Sequence, residues 1–168
     1  FMPQKGFNYL IDTMDLLEKE YNVESDYKVL AVGSGDYLQY YKRTIKEKRL
    51  IHRFVFIPFQ RKIGKVYKAV DLVVMPSVWE AFGLQAAEAM CMGKPIIVTN
   101  CIGLREAVKG TPAIVVQSKD ALGLSKAIYS AIISPPVDRF REFQNEAIER
   151  YDVRPTSKKL QEVFECFC

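Results

Sequence analysis

A single histidine, four cysteines and no Asp-x-Asp pair in 168 residues leave little with which to build a metal centre. Cys166 and Cys168 flank Phe167 without the second pair that a zinc site needs, so no metal site is expected there. Cys91 and Cys101 stand in apolar contexts that suit small buried residues, and a reducing, cytoplasmic setting follows from that usage. No apolar run approaches the roughly 20 residues that span a bilayer, and the amino end does not read as a signal peptide. Excess charge of one sign is missing too. The net charge is +4 and the cations are dispersed, which argues against a nucleic-acid partner. The densest basic stretch runs from Lys42 to Arg53 and on through Arg61, Lys62, Lys65 and Lys68. It suits a solvated helix face, with a surface for anionic lipid or a polyanion as the alternative.

What is present is a globular composition, 49% hydrophobic and 26% charged, in a regular alternation. Short runs rich in Val and Ile mark strands at Lys28 to Val32, Phe54 to Ile57, Asp71 to Met75, Pro95 to Thr99 and Ala113 to Val116. Their continuous apolarity predicts strands buried on both faces, as in a parallel sheet. Helical stretches lie between and after them: 6–20, 36–49, 62–70, 82–92, 103–109, 119–133, 138–151 and 155–167. The fold expected is α/β, a Rossmann-like doubly wound parallel sheet with helices on both faces. Residues 1–134 would form that domain, and 135–168 would form C-terminal helices after the Ser134-Pro135-Pro136 break. The chain opens on a helix entry at Phe1 to Gly6, so a first strand is expected just upstream and the sequence reads as a piece of a longer polypeptide.

The stretch MPSVWEAFGLQAAEAMCMGKPIIV, residues 75–98, carries the chemistry. Were residues 80–88 all helical, Glu80 and Glu88 would sit about 80° apart around the axis and about 12 Å apart along it. That is too far to share a proton or a metal ion, and wider than glycosidase acid–base pairs at roughly 5 to 9.5 Å. Glu80 instead suits the loop leaving a strand, with a helix starting near Phe82-Gly83 and Glu88 one and a half turns inside it. The free N–H groups of that helix mouth attract anions, and Gly83 permits close approach to the backbone. The layout is carboxylate, anion site, carboxylate. A ligand with hydroxyls at both ends and phosphate between, such as a nucleotide sugar, has the matching pattern.

Pro76-Ser77, Glu80, Phe82-Gly83-Leu84, Glu88-Ala89-Met90, Gly93 and Pro95-Ile96-Ile97-Val98 together resemble the donor-site signature of family 4 retaining glycosyltransferases with the GT-B fold. Ala81 stands where the family pattern has glycine. Pro3 and Lys5-Gly6 resemble the segment whose Arg and Lys hold the donor diphosphate; Lys5 is the lysine, and the arginine would precede Phe1. Val32 to Gly35, Phe54 to Phe59, and Val66-Tyr67 with Ala69 to Asp71 resemble further family segments, so that the likeness covers roughly residues 1–134. It implies the C-terminal, donor-binding half of a GT-B enzyme, with the last helices crossing toward an N-terminal domain that supplies most of the acceptor site.

The resemblance also implies roles. Glu88 would accept from ribose hydroxyls, Glu80 would approach the sugar or its phosphate, and the amides of Phe82, Gly83 and Leu84 would face the phosphates. Lys5 would offset charge on the departing diphosphate. Pro58, Phe59 and Gly33 would border the base. The donor would be a UDP-, GDP- or ADP-hexose, without metal or other cofactor, in a cytoplasmic protein that contacts the inner face of a membrane peripherally through its full-length form. Two alternatives stand beside this one. A donor pocket that transfers nothing would make a non-catalytic nucleotide-binding module. An NAD-type domain is the other, although Gly33-Ser34-Gly35-Asp36-Tyr37-Leu38 lacks the third glycine and the later acidic residue of that fingerprint. His52 reads as a surface or packing residue.

Overall fold

A computed structural model describes residues 1–21 and 27–165. A 3-10 turn at Pro3–Lys5 leads into α1 (Phe7–Glu20), and then strands and helices alternate: β1 (Val29–Val32), α2 (Leu38–Glu47), β2 (Phe54–Ile57), α3 (Ile63–Ala69), β3 (Val73–Met75), α4 (Leu84–Cys91), β4 (Ile96–Thr99), α5 (Ile102–Ala107), β5 (Ile114–Val116) and α6 (Ala121–Ile133). Two further helices follow, α7 (Val137–Arg150) and α8 (Arg154–Glu165). Each expected element is found, with ends shifted by a residue or two. Phe167, within the expected last helix, and Cys166 and Cys168, excluded as a metal site, lie outside the described residues.

Every strand pairing among the described residues is parallel, as continuous apolar strands predict. The ladder comes in two pieces, β1-β2 and β3-β4-β5, and β1 does not pair with β3. A cavity of about 1000 Å3 separates them, lined by Leu30 and Val32 of β1, Val74 and Met75 of β3, Leu10 of α1 and Ile128 of α6. Packing, not hydrogen bonding, ties the pieces together: Ala31 and Phe54 of the first share a buried cluster with Ile97 of the second through α1 and α6.

The strand at the centre of the three shows why helices cover both faces. Side chains alternate across a strand. Ile97 of β4 joins the cluster built on α1 and α6, whereas Ile96 and Val98 join a second cluster with Ala86, Ala89 and Met90 of α4, Leu104 of α5, and Phe140 and Ala147 of α7. All four residues of β4 are buried. Helix α8 buries none of its residues, and its Leu160, Val163 and Phe164 are exposed. No described helix is long and apolar enough to cross a membrane.

Candidate functional site

The carboxyl ends of β3 and β4 meet the start of α4, and there the chain brings together residues far apart in sequence. Val78 donates its amide to the carbonyl of Gln4 at 2.8 Å, which pins the amino-terminal turn to the loop after β3. That contact sets Lys5 beside Glu80, with Nζ 2.6 Å from Oε1. Ser77 donates its hydroxyl to the same oxygen at 2.8 Å. Glu80 is 9% exposed, a level at which an unpaired carboxylate would be costly; the ammonium and the hydroxyl are what make its burial tolerable. Ser77 is itself fixed, since its carbonyl accepts from the Thr99 hydroxyl of β4 and, at 3.4 Å, from that of Ser118.

Helix α4 starts two residues later than the pattern suggested. Gly83 is its N-cap at φ 81, a left-handed conformation that L-residues adopt only at a cost, so the helix cannot take in Phe82. No side chain caps the end. The amides of Phe82, Gly83 and Leu84 donate to no other group among the described residues, while Ala86 already donates to the Gly83 carbonyl. Phe82 and Leu84 are exposed. An uncapped end of this kind holds partial positive charge and free donors, the conditions that attract an anion.

Glu88 occupies the exposed flank of α4. Tyr67 of α3 donates its hydroxyl to Glu88 Oε2 at 2.8 Å. Burial, and after it the Glu88 carboxylate, push the Tyr67 phenol far above its ordinary pKa, so the hydroxyl stays protonated. The two glutamates are therefore held by different elements. Lys5 and Ser77, the partners of Glu80, line the large cavity together with Gln85, but neither Glu80 nor Glu88 is on its wall. Gly33 and Pro58-Phe59 follow β1 and β2, whose pairing of Val32 with Ile57 brings them side by side. Phe59 is 72% exposed, and the Pro58 carbonyl accepts from the Gln60 side chain at 3.0 Å.

Sequence reasoning assigned no role to Ser77 or Tyr67. Ser77 had a weak signal, a hydroxyl residue three positions before a glutamate, the spacing of reciprocal capping pairs. Tyr67 had none, because 21 residues and a whole strand separate it from Glu88. His52 lies at the surface, 3.6 Å from Glu18 and 57% exposed at its side chain. No group of three His, Cys, Asp or Glu side chains converges among the described residues.

Parallel strands under two helical layers, with an uncapped helix mouth beyond their carboxyl ends, define a Rossmann-like domain. The sequence matches the family described as Glycosyl transferases group 1 over residues 1–150, and the chain belongs to that family. It is 38% identical over 108 residues to an uncharacterized glycosyltransferase of Methanocaldococcus jannaschii, covering 63% of this chain and 27% of the relative. It is 31% identical over 112 residues to the lipopolysaccharide core biosynthesis mannosyltransferase LpsB of Rhizobium meliloti, covering 64% and 31%. Among solved structures, Anabaena Alr3699/HepE in complex with UDP superposes at a TM-score of 0.85 and 25% identity, covering 98% of this chain and 46% of that one. The C-terminal domain of a group 1 family protein, LpcC of Francisella tularensis, superposes at 0.72 and 23% identity, covering 90% and 81%. The chain thus spans about a third or less of these curated relatives, about half of HepE and most of an isolated C-terminal domain.

Proposed function

We propose that this chain is the donor-binding half of a retaining hexosyltransferase that takes a nucleotide-diphosphate sugar. The contact between Lys5 and Glu80, across 75 positions of sequence at the uncapped end of α4, carries the reading. It joins a cation, a carboxylate and free amides within one loop cluster. In this reading the amides of Phe82, Gly83 and Leu84 donate to the diphosphate and Glu88 accepts from the ribose hydroxyls. Gly33, Pro58 and Phe59 border the base. Glu80 approaches the hexose or the phosphate attached to it.

Lysine has three donors and spends one on Glu80, so two remain for the diphosphate. As the bond between the sugar and the diphosphate oxygen breaks, that oxygen takes the electron pair, and Lys5 and the α4 amides stabilise the growing charge. The acceptor hydroxyl attacks from the face that the diphosphate leaves and passes its proton to the departing phosphate oxygen, which retains anomeric configuration. This assigns the leaving-group charge to Lys5 and the helix mouth rather than to a metal. The acceptor is a glycan, a lipid or a small molecule held mainly by another domain, in a cytoplasmic protein that meets a membrane surface when the acceptor is a lipid. Support comes from the UDP complex of HepE and from relatives named as glucosyl- and mannosyltransferases.

Calorimetric titration with UDP-, GDP- and ADP-hexoses and with NADH is the test. One of the sugar nucleotides should bind, with NADH weak or silent. NADH binding without any sugar-nucleotide binding overturns the reading in favour of an NAD-type domain. Binding without transfer by the full-length protein, given a range of acceptors, would leave a nucleotide-binding module.

A further inference from the structure

A glutamate on the exposed flank of a helix samples several rotamers and has no preferred aim. Glu88 has one. Tyr67, which grips it, is 6% exposed, with its ring packed in the cluster formed by Met75, Ala86, Met90, Ile96 and Leu104. Its hydroxyl therefore emerges from a fixed position in the core. The bond to Glu88 Oε2 is short at 2.8 Å, whereas the Gln85 carbonyl lies at a marginal 3.4 Å, so the single phenolic hydrogen serves the carboxylate. Among the described residues Oε1 of Glu88 has no partner. A carboxylate tethered by one oxygen, with the other free, is suited to receive a vicinal diol.

We propose that Tyr67 is a positioning residue that pre-aims the Glu88 carboxylate at the ribose hydroxyls of the bound nucleotide. The inference rests on the reading of Glu88 given above. It adds that ribose recognition depends on a neutral donor from α3, a helix that itself touches no ligand in that reading. Preorganisation of this kind raises affinity by removing the entropy of ordering a mobile side chain on binding. A neutral donor suits the task, because an ammonium in its place would compete with the ribose for the carboxylate.

Tyr67 could instead do no more than satisfy its own hydroxyl, and a ribose-specific readout separates the two cases. UDP, GDP and ADP would be titrated beside their 2′-deoxy counterparts on the unaltered protein and on Tyr67→Phe, Glu88→Ala and the double variant. Tyr67→Phe deletes one oxygen and keeps the ring in the core. The ribonucleotide that binds should weaken about 3- to 10-fold, the loss of one ordinary hydrogen bond, and its deoxy counterpart much less. In the Glu88→Ala background Tyr67→Phe should change nothing further. Equal weakening of both nucleotides, or a Tyr67→Phe effect that persists without Glu88, overturns the inference and leaves Tyr67 a structural residue. If Glu88→Ala leaves the preference for ribose untouched, or if no nucleotide binds, the assignment of Glu88 fails first and Tyr67 loses its role with it. Should Tyr67→Phe lose its unfolding transition, Glu88→Asp draws the carboxylate back from the phenol at an exposed position; retention of the full ribose preference there would also overturn the proposal.

Discussion

Two carboxylates flank one helix mouth, and they are held in opposite ways. Glu80 is buried, with a charged and a neutral donor on the same oxygen, Oε1. Glu88 is exposed, and its one partner among the described residues is the neutral Tyr67 hydroxyl on Oε2. The difference follows from where each sits. A carboxylate taken out of water must be compensated before any ligand arrives, so Glu80 comes with Lys5 built in. One that stays in water needs no counter-charge, and with one oxygen held by a neutral hydroxyl it keeps the other open to accept hydrogen bonds. Glu80 is therefore committed to an ion pair with Lys5, whereas Glu88 keeps its Oε1 without a partner among the described residues.

The widest break in that comparison is expected from Glu80→Ala. Transfer by the full-length protein should fall on the order of 100-fold, the scale of losing one preorganised electrostatic partner. Affinity for the free nucleoside diphosphate should fall far less, because Lys5 is released to the phosphates. Stability should drop by about 1 to 2 kcal/mol as the Ser77 hydroxyl loses its acceptor, visible as a lower melting temperature. Equal losses in transfer and in nucleotide affinity would contradict the placement of Glu80 at the sugar end. Glu88→Ala should do the reverse, weakening nucleotide binding by about 1.5 to 3 kcal/mol through lost charge-assisted hydrogen bonds, with a smaller fall in melting temperature because the Tyr67 hydroxyl can turn to the nearby Gln85 carbonyl. Calorimetry and a thermal melt on the same sample decide it, and undiminished affinity would end the ribose assignment.

Glycines test how the two carboxylates are carried. A Cβ on Gly103 would come 2.3 Å from the Glu80 carbonyl oxygen and 2.8 Å from the Ala81 carbonyl, both backbone atoms. Gly103→Ala should push the loop outward, costing about 1 to 3 kcal/mol, as overpacking does, and weakening sugar-nucleotide binding. Gly64 lies on α3, the helix that supplies Tyr67, and a Cβ there meets nothing within 4 Å. Gly64→Ala should stabilise by about 0.5 to 1 kcal/mol and leave binding alone. Paired melts and titrations of the two variants would show whether only the Glu80 loop is seated on a glycine.

The contrast also marks what sequence could reveal. The strands were legible because Ile96-Ile97-Val98 and Val73-Val74 are continuous β-branched runs, and the helix mouth because Gly83 punctuates a loop before an Ala-rich stretch. Two glutamates at a fixed spacing, in a pattern with family resemblance, singled out both carboxylates as candidates, and the separate likeness at Pro3 and Lys5-Gly6 singled out Lys5. Their partners were hidden for a physical reason. Ser77 and Tyr67 are ordinary residues in an apolar context, and what distinguishes them is a hydroxyl's direction in the folded chain. Strand pairing is a separate matter, since periodicity reports whether a strand is buried and not which strand lies beside it.

The smallest effect comes from an ion pair of the Lys5–Glu80 type without a helix mouth beside it. On α1, Asp15 accepts from Lys48 at 2.9 Å and from Lys19 at 2.9 Å, and Lys48 also reaches Asp12 at 3.2 Å. Burial pushes the Asp15 carboxyl up, but the two lysines outweigh it and hold it below its ordinary value of 3.8. The hydrogen bond to Asp15 raises Lys48 above its ordinary 10.5, against the opposing pull of partial burial. A depressed carboxylate contributes stability above its unfolded pKa and loses it as pH falls through the folded value. A raised lysine contributes below its unfolded pKa and loses it as pH rises through the folded one. The cluster therefore stabilises across the neutral range, fading below about pH 4 and above about pH 10.5. Lys48→Met should cost about 0.2 to 1 kcal/mol at pH 7, less in high salt, and progressively less as Asp15 is protonated in acid. Nucleotide affinity should not change. A fall in nucleotide affinity would mean that the helix mouth is not what separates the two pairs, and the contrast drawn between them would fail at its simplest point.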